Sequence, residues 1–288
     1  MGIDSQVTFE PFVNGLDHPE CVAPGSDGRL YAGGEAGQVY RVSLDGSFEQ
    51  IGSTGGFALG ICLDGDDNVY VCDMARNEVV RVAPDGTASV YAAGLPDRPL
   101  VNPNYPVFDD LGNLYVSASG GWKTNDGCIW VVRPGGASEV LRDDVTAFPN
   151  GLAINPAGDH LYAIESLGMR VVRVAISEGR SSGPVEKVLD IPERHLGDGL
   201  AFDAEGGLYV ACYTPDVIYR LSPDGVLEKV AEDWESVALS SPTNLAFVGT
   251  DRRTLVSASL ARWHLSRAEV RVPGMPLRYP RIPRGDLA

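Results

Sequence analysis

No stretch of this chain is apolar for the length a bilayer-crossing helix needs, so no membrane partner is expected. Basic residues are scarce: 23 Lys and Arg stand against 39 Asp and Glu, a formal net charge of −16. A chain so acidic repels phosphate backbones, which argues against nucleic acid as a partner. The same field favours cations and discourages strongly anionic substrates unless a metal screens them. Cysteine is sparse too. The five cysteines (Cys21, Cys62, Cys72, Cys128 and Cys212) form no Cys-x-x-Cys pair. Four fall in β-like apolar runs, where a free thiol behaves as a small buried hydrophobe. That usage predicts a reducing, cytoplasmic location. The segment Met1 to Gln6 lacks the basic-then-apolar pattern of a secretory signal, and Gln6 breaks the myristoylation pattern.

Linker-like composition is also missing, so residues 1–288 are expected to form one domain, with 271–288 as a Pro- and Arg-rich tail. Glycine (34) and proline (20) are plentiful but scattered, which signals many tight turns. The turns organise a repeat. The run from Asp198 through Leu208-Tyr-Val-Ala211 to Val217-Ile-Tyr-Arg-Leu-Ser-Pro-Asp-Gly225 has counterparts starting at Glu20, Leu59, Asn104, Asn150 and Thr243. Those six first positions are separated by 39, 45, 46, 48 and 45 residues. Each unit reads as an apolar strand, a turn, an alternating strand, a loop, a Val-x-Arg-Val strand, and a hairpin into a fourth strand. Four short strands at a period of about 40–50 residues predict an all-β six-bladed propeller. The sixth unit lacks a fourth strand. The segment Val7–Val13 resembles the outermost strand of other units, and is expected to close the ring from the N-terminus.

In a propeller, the first strand of each blade lines the central channel. The first positions hold Glu20, Leu59, Asn104, Asn150, Asp198 and Thr243. Two residues later stand Val22, Ile61, Pro106, Leu152, Leu200 and Leu245, an apolar floor. Two carboxylates and two amides therefore converge above that floor. Burying Asp beside Glu without compensation costs several kcal/mol, and a hard cation held by their oxygens removes the cost. Donors that are all oxygen predict Ca2+ ahead of Zn2+. Leu59 and Thr243 leave two blades without a ligand, an open coordination that suits catalysis.

The pattern resembles the family of regucalcin, gluconolactonase and luciferin-regenerating enzyme, and more distantly diisopropyl fluorophosphatase and paraoxonase. The resemblance spans nearly the whole chain and rests on Pro19-Glu20, Asn104 ahead of Val-Phe-Asp-Asp-Leu-Gly-Asn-Leu-Tyr, Pro149-Asn150-Gly151-Leu152, and Gly197-Asp198-Gly199-Leu200-Ala201. It implies a metal held by Glu20, Asn150 and Asp198, with Asn104 as a further ligand or substrate contact. Calcium is the family's usual ion, with zinc or manganese as alternatives. Two positions depart from the gluconolactonase pattern: Asn102 stands where an Arg is usual, and Tyr105 where an Asp follows the channel Asn. Both departures move the expected substrate from a sugar lactone toward a more apolar lactone or ester.

The expected chemistry is metal-assisted ester hydrolysis with Asp198 as base or nucleophile. Loops at the metal end should supply the substrate walls: Trp122, Glu165, His195, Tyr213 and Trp263, together with Asn102 and Tyr105. Lys123, Asn125 and His264 lie in the same loops, and His195, three residues before Asp198, is a candidate proton shuttle. Phosphotriester hydrolysis, a non-hydrolytic rearrangement, or calcium binding without catalysis are open alternatives on one scaffold. The tail Arg271–Arg284 is expected to drape over the acidic body.

Overall fold

The computed structural model describes residues 7–282. Met1–Gln6 and the end of the tail, Arg284 included, lie outside the described residues. Six four-stranded antiparallel sheets account for the six repeats. Their inner strands are Val22–Pro24, Ala58–Leu63, Pro103–Phe108, Pro149–Ile154, Leu196–Phe202 and Pro242–Val248, in blades one to six. Each packs beside the next, and the sixth packs beside the first. The ring closes as expected: the fourth strand of blade six is Glu10–Asn14, paired antiparallel to His264–Glu269. A small extra hairpin, Gly94–Leu95 with Arg98–Pro99, sits in the loop that leads to blade three. Among the described residues no helix is long and apolar enough to cross a membrane.

Side chains alternate along each strand, so every blade presents two apolar faces and needs a neighbour on both sides. The core accordingly divides into six clusters, one per blade interface. Between blades two and three, for example, Tyr70 packs edge-on against both Tyr91 and Phe108. All five cysteines are free, and burial pushes the thiol of each upward.

The strand direction fixes two unlike ends. Inner strands start at one end, and so do the loops between second and third strands. The turns after the inner strands lie at the other. There the tail crosses the channel: Met275 N donates to Phe202 O (3.0 Å), Gly65 N to Pro280 O (2.8 Å), and the Tyr279 hydroxyl to Pro24 O (2.9 Å). Arg278 adds an ion pair to Asp110 at 3.1 Å. Between the tail and Tyr105 lies an apolar cavity of about 90 Å³, walled by the floor residues and capped by Met275, Leu277 and Tyr279.

Candidate metal centre and substrate mouth

Every inner strand from blade two to blade six is irregular near its start. In blade five the pairing runs from Gly197↔Cys212 to Leu200↔Val210, so Asp198 and Gly199 together oppose the single residue Ala211. Such a bulge turns side chains that would face a neighbouring blade toward the channel. Glycine follows the first position in blades two, four and five because neighbouring backbones come close there: a Cβ on Gly151 would lie 2.2 Å from Asp198 O, and one on Gly199 2.5 Å from Thr243 O. Hydroxyls from preceding blades pin the backbone that carries the site. Ser117 Oγ donates to Asn150 O at 2.7 Å, Ser166 Oγ to Gly197 O at 2.6 Å, and Thr243 Oγ1 to Glu20 O at 2.6 Å.

At the channel mouth Glu20 adjoins Asp198 and Asp198 adjoins Asn150, while Asn104 is buried at the start of the blade-three inner strand. Asn104, Asn150 and Asp198 are buried, and Glu20, partly buried as a residue, has its Oε2 sealed from solvent. Asp198 is pushed up to about 8 by burial, against the opposing effect of the Asn150 amide, which donates to its carboxylate. Glu20 is raised well above its ordinary value, first by burial and then by the negative field of Asp198. Among the described residues neither Glu20 Oε2 nor Asn150 Oδ1 has a hydrogen-bond partner. Two adjoining buried carboxylates and starved carbonyl-type oxygens, with no cationic side chain acting on either carboxylate, form a donor set that fits a hard divalent cation.

Tyr213 lies close to the two carboxylates. Its hydroxyl is pushed up to about 12 by burial, then by Asp198 and Glu20. Tyr105 sits one layer lower, where its phenol lies beside the Asn244 amide and its ring roofs the apolar cavity. A Cβ on Gly60 would meet that ring at 2.7 Å, so glycine there makes room for it. Asn102, in the left-handed region (φ 54°), has its amide donating to Gly120 O at 3.3 Å and its buried Oδ1 unpartnered.

Two expected wall residues have partners of their own. Glu165 is fully buried: its Oε1 accepts from Thr146 N and Ala147 N, both at 2.9 Å, and its Oε2 pairs with Arg170 at 2.5 Å. His195 shares a 3.0 Å hydrogen bond with the Tyr219 hydroxyl, and its charged neighbours are Lys229 and Glu232 of the outer strand. His264 bonds Ala238 O at 2.9 Å. Trp122 stands at the rim against Phe148, with Lys123 over its indole, and Trp263 stands at the rim against His18.

Sequence reasoning missed several of these. Asn244 is buried with Oδ1 unpartnered, one residue past Thr243, whose hydroxyl is spent on Glu20 O. His18, Asn102, Phe148 and Ser241 all adopt positive φ two residues before a first position, and each precedes a proline. That recurring X-Pro step was the available signal. His18 also forms a group with Asp17 and Glu35 whose ligand atoms lie within 4.8 Å of one another, with Nδ1 2.9 Å from Glu35.

The closed six-bladed ring is a propeller whose buried, adjoining carboxylates lie at the throat of the channel. Residues 38–261 match the SMP-30/gluconolactonase/LRE-like region, and the chain belongs to that family. A 6-deoxy-6-sulfogluconolactonase of Pseudomonas putida is 29% identical over 174 residues, 51% of this chain and 58% of the relative's length. A calcium-binding regucalcin from Agrobacterium tumefaciens superposes with a TM-score of 0.82 at 17% identity, covering 98% of this chain and all of that one. A gluconolactonase from Xanthomonas campestris gives 0.79 at 17% identity, over 93% of this chain and 90% of that one. At such identities the two structures establish the shared fold.

Proposed function

We propose that this protein is a metal-dependent hydrolase that opens a lactone or related ester at the channel mouth. One observation carries the reading: Glu20 and Asp198 are buried together without a cationic partner, with Asn150 Oδ1 left unsatisfied beside them. Family membership and the lactonase named among the relatives support the reaction class.

Glu20, Asn150 and Asp198 would hold the ion, with Asn104 as a fourth oxygen donor. The all-oxygen set favours Ca2+, with Zn2+ or Mn2+ as substitutes. When bound, the ion supplies Lewis acidity toward an ester carbonyl and charge that keeps both carboxylates ionised. Asp198 then takes a proton from the attacking water as the new C–O bond forms. The same proton passes to the alkoxide as the ring C–O bond breaks, so one lactone and one water give one hydroxy acid. The Asn150 amide orients the Asp198 carboxylate through its hydrogen bond. Tyr213 borders the pair.

The test is elemental analysis of the purified protein, followed by a panel of lactones and aryl esters with and without chelator. One divalent ion per chain and turnover that chelator abolishes and Ca2+ restores is the expected result. Full activity in excess chelator would sink the reading.

A further inference from the structure

By its first residue, blade six offers the channel ion nothing, since the Thr243 hydroxyl is taken up by Glu20 O at 2.6 Å. The next residue behaves differently. The second positions of the six inner strands hold Cys21, Gly60, Tyr105, Gly151, Gly199 and Asn244. Three are glycine because neighbouring backbones crowd them: a Cβ would lie 2.6 Å from Asn104 O at Gly60, 2.2 Å from Asp198 O at Gly151 and 2.5 Å from Thr243 O at Gly199. Tyr105 and Asn244 are the two long side chains of this layer. They stand on blades three and six, half a turn apart in the ring. Even so they meet: the Asn244 amide acts on the Tyr105 phenol as a hydrogen-bond donor, and the phenol also feels the charge of Asp198. A side chain that reaches the opposite blade points across the channel.

Asn244 is only 2% exposed, and its Oδ1 has no hydrogen-bond partner among the described residues. With the amide nitrogen turned to the phenol, that oxygen is the free end of the group. Its neighbours around the ring are those of the metal centre. Blade six stands between blade five, which carries Asp198, and blade one, which carries Glu20. A Cβ on Gly199, the residue after Asp198, would lie 2.9 Å from Asn244 Cα. Glu20 Oε2 and Asn150 Oδ1 are starved in the same way. Folds leave few buried oxygens without a donor. A water would satisfy one of these atoms, whereas a cation answers all of them and the two carboxylates together.

We infer that Asn244 is a further ligand of the channel cation, the oxygen donor of blade six, and that Tyr105 is the positioning residue that turns this oxygen to the ion. The inference rests on the metal-dependent reading proposed above. It also gives the Tyr105 phenol a task at a position where the gluconolactonase pattern has Asp.

The test reads ion binding rather than turnover. The whole chain, stripped with chelator, is titrated calorimetrically with Ca2+ as wild type, Asn244→Ala, Asn244→Asp, Tyr105→Phe and the Asn244→Ala/Tyr105→Phe pair. Asn244→Ala should weaken binding at least about tenfold, since even groups one step removed from a metal contribute about 10–100-fold. Asn244→Asp keeps an oxygen in place and should recover most of the loss. Tyr105→Phe should weaken binding by less, and should add nothing in the Asn244→Ala background, because the phenol acts only through the amide. In chelator Asn244→Ala should melt no lower than wild type, because a starved oxygen is gone, while the rise in melting point with Ca2+ should shrink. Asn244→Leu, similar in shape and without oxygen, carries the same expectation if the Ala variant does not fold. Unchanged Ca2+ affinity without the Asn244 oxygen, or a Tyr105→Phe loss that persists in the double variant, overturns the inference. Wild-type turnover that chelator abolishes then leaves the hydrolase reading standing alone. If the affinities shift as stated and no lactone or ester is turned over, the ligand assignment stands and hydrolysis fails alone. A wild type that binds no Ca2+ overturns both.

Discussion

Asp198 and Asp203 sit five residues apart at opposite ends of one inner strand, both buried, and are treated in opposite ways. Asp203 is saturated: Oδ1 accepts from Gly207 N at 2.7 Å and Glu205 N at 3.0 Å, and Oδ2 pairs with the buried Arg220 at 2.7 Å. Asp64 and Asp109 follow the same plan in blades two and three, each taking two turn N–H groups and a tyrosine hydroxyl. At the mouth Asp198 has one amide donor and the charge of Glu20 nearby. Satisfied carboxylates at the tail end hold the blades' turns. Starved ones at the mouth have stability to gain only from something that binds.

The comparison breaks hardest at Asp198. Asp198→Asn should lower turnover by about 10²–10⁴-fold, the usual contribution of a positioned general base. Because it replaces a buried acid whose ionised form the fold disfavours with a neutral amide, it should leave the metal-free protein at least as stable as wild type. Steady-state kinetics and thermal melts in chelator check both halves. Turnover within a few-fold of wild type would remove Asp198 from the chemistry. Asp203→Ala should do the reverse, costing about 3–5 kcal/mol in stability because it strands the Arg220 guanidinium and two turn N–H groups. Denaturant unfolding measures that loss, and the ion content of the folded fraction should stay at the wild-type level.

The pH dependence of the metal-free protein sharpens the contrast. Asp198 ionises near 3.8 in an unfolded chain and near 8 in the fold, and Glu20 is displaced in the same direction. Between about pH 4 and 8 the unfolded state has therefore released protons that the native state still holds. The slope of unfolding free energy with pH is then negative, and this pair's contribution falls as pH rises until the native carboxyl also ionises. Melting temperature in chelator should drop by several degrees from pH 5 to pH 8. Adding Ca2+ should cancel the drop, because the ion favours the ionised form. A chelated protein whose melting point is flat or rising over that range would show the mouth carboxylates to be compensated from within.

What the sequence made legible follows the same division. The six blades were readable because strand alternation is a local property repeated in every blade, with an Asp-Gly hairpin marking blades one, two and five, and repetition cancels local ambiguity. Closure by the N-terminal strand was readable because the sixth unit lacked a fourth strand, although the pairing begins at Glu10 rather than Val7. Glu20, Asn104, Asn150 and Asp198 could be singled out as candidates because blade symmetry makes equal repeat positions equal in space. Glu165, His195 and Asn244 could not be resolved that way. Whether Glu165 opens to the mouth depends on the N–H groups of Thr146 and Ala147 and on Arg170, a matter of side-chain pairing that no repeat encodes. For His195 the competitor is a tyrosine two strands away. The tail's crossing of the channel is equally nonlocal, set by carbonyls of Pro24 and Phe202.

The smallest expected effect concerns the groups between the two classes. Ser166 is buried in blade four, and its hydroxyl donates to the carbonyl of Gly197, the residue before Asp198, at 2.6 Å. Its bond is to main chain, so it positions the strand start rather than the reaction. Ser166→Ala leaves one buried carbonyl without that donor and should cost about 1 kcal/mol in stability, the net worth of a typical buried hydrogen bond. Turnover at saturating metal should stay within about threefold of wild type, because the bulge and its glycines still hold Asp198 toward the channel. Paired denaturant melts and kinetics decide the point. A loss of turnover as large as that of Asp198→Asn, with stability unchanged, would move Ser166 from the scaffold to the site and erase the boundary between saturated and starved groups in that blade.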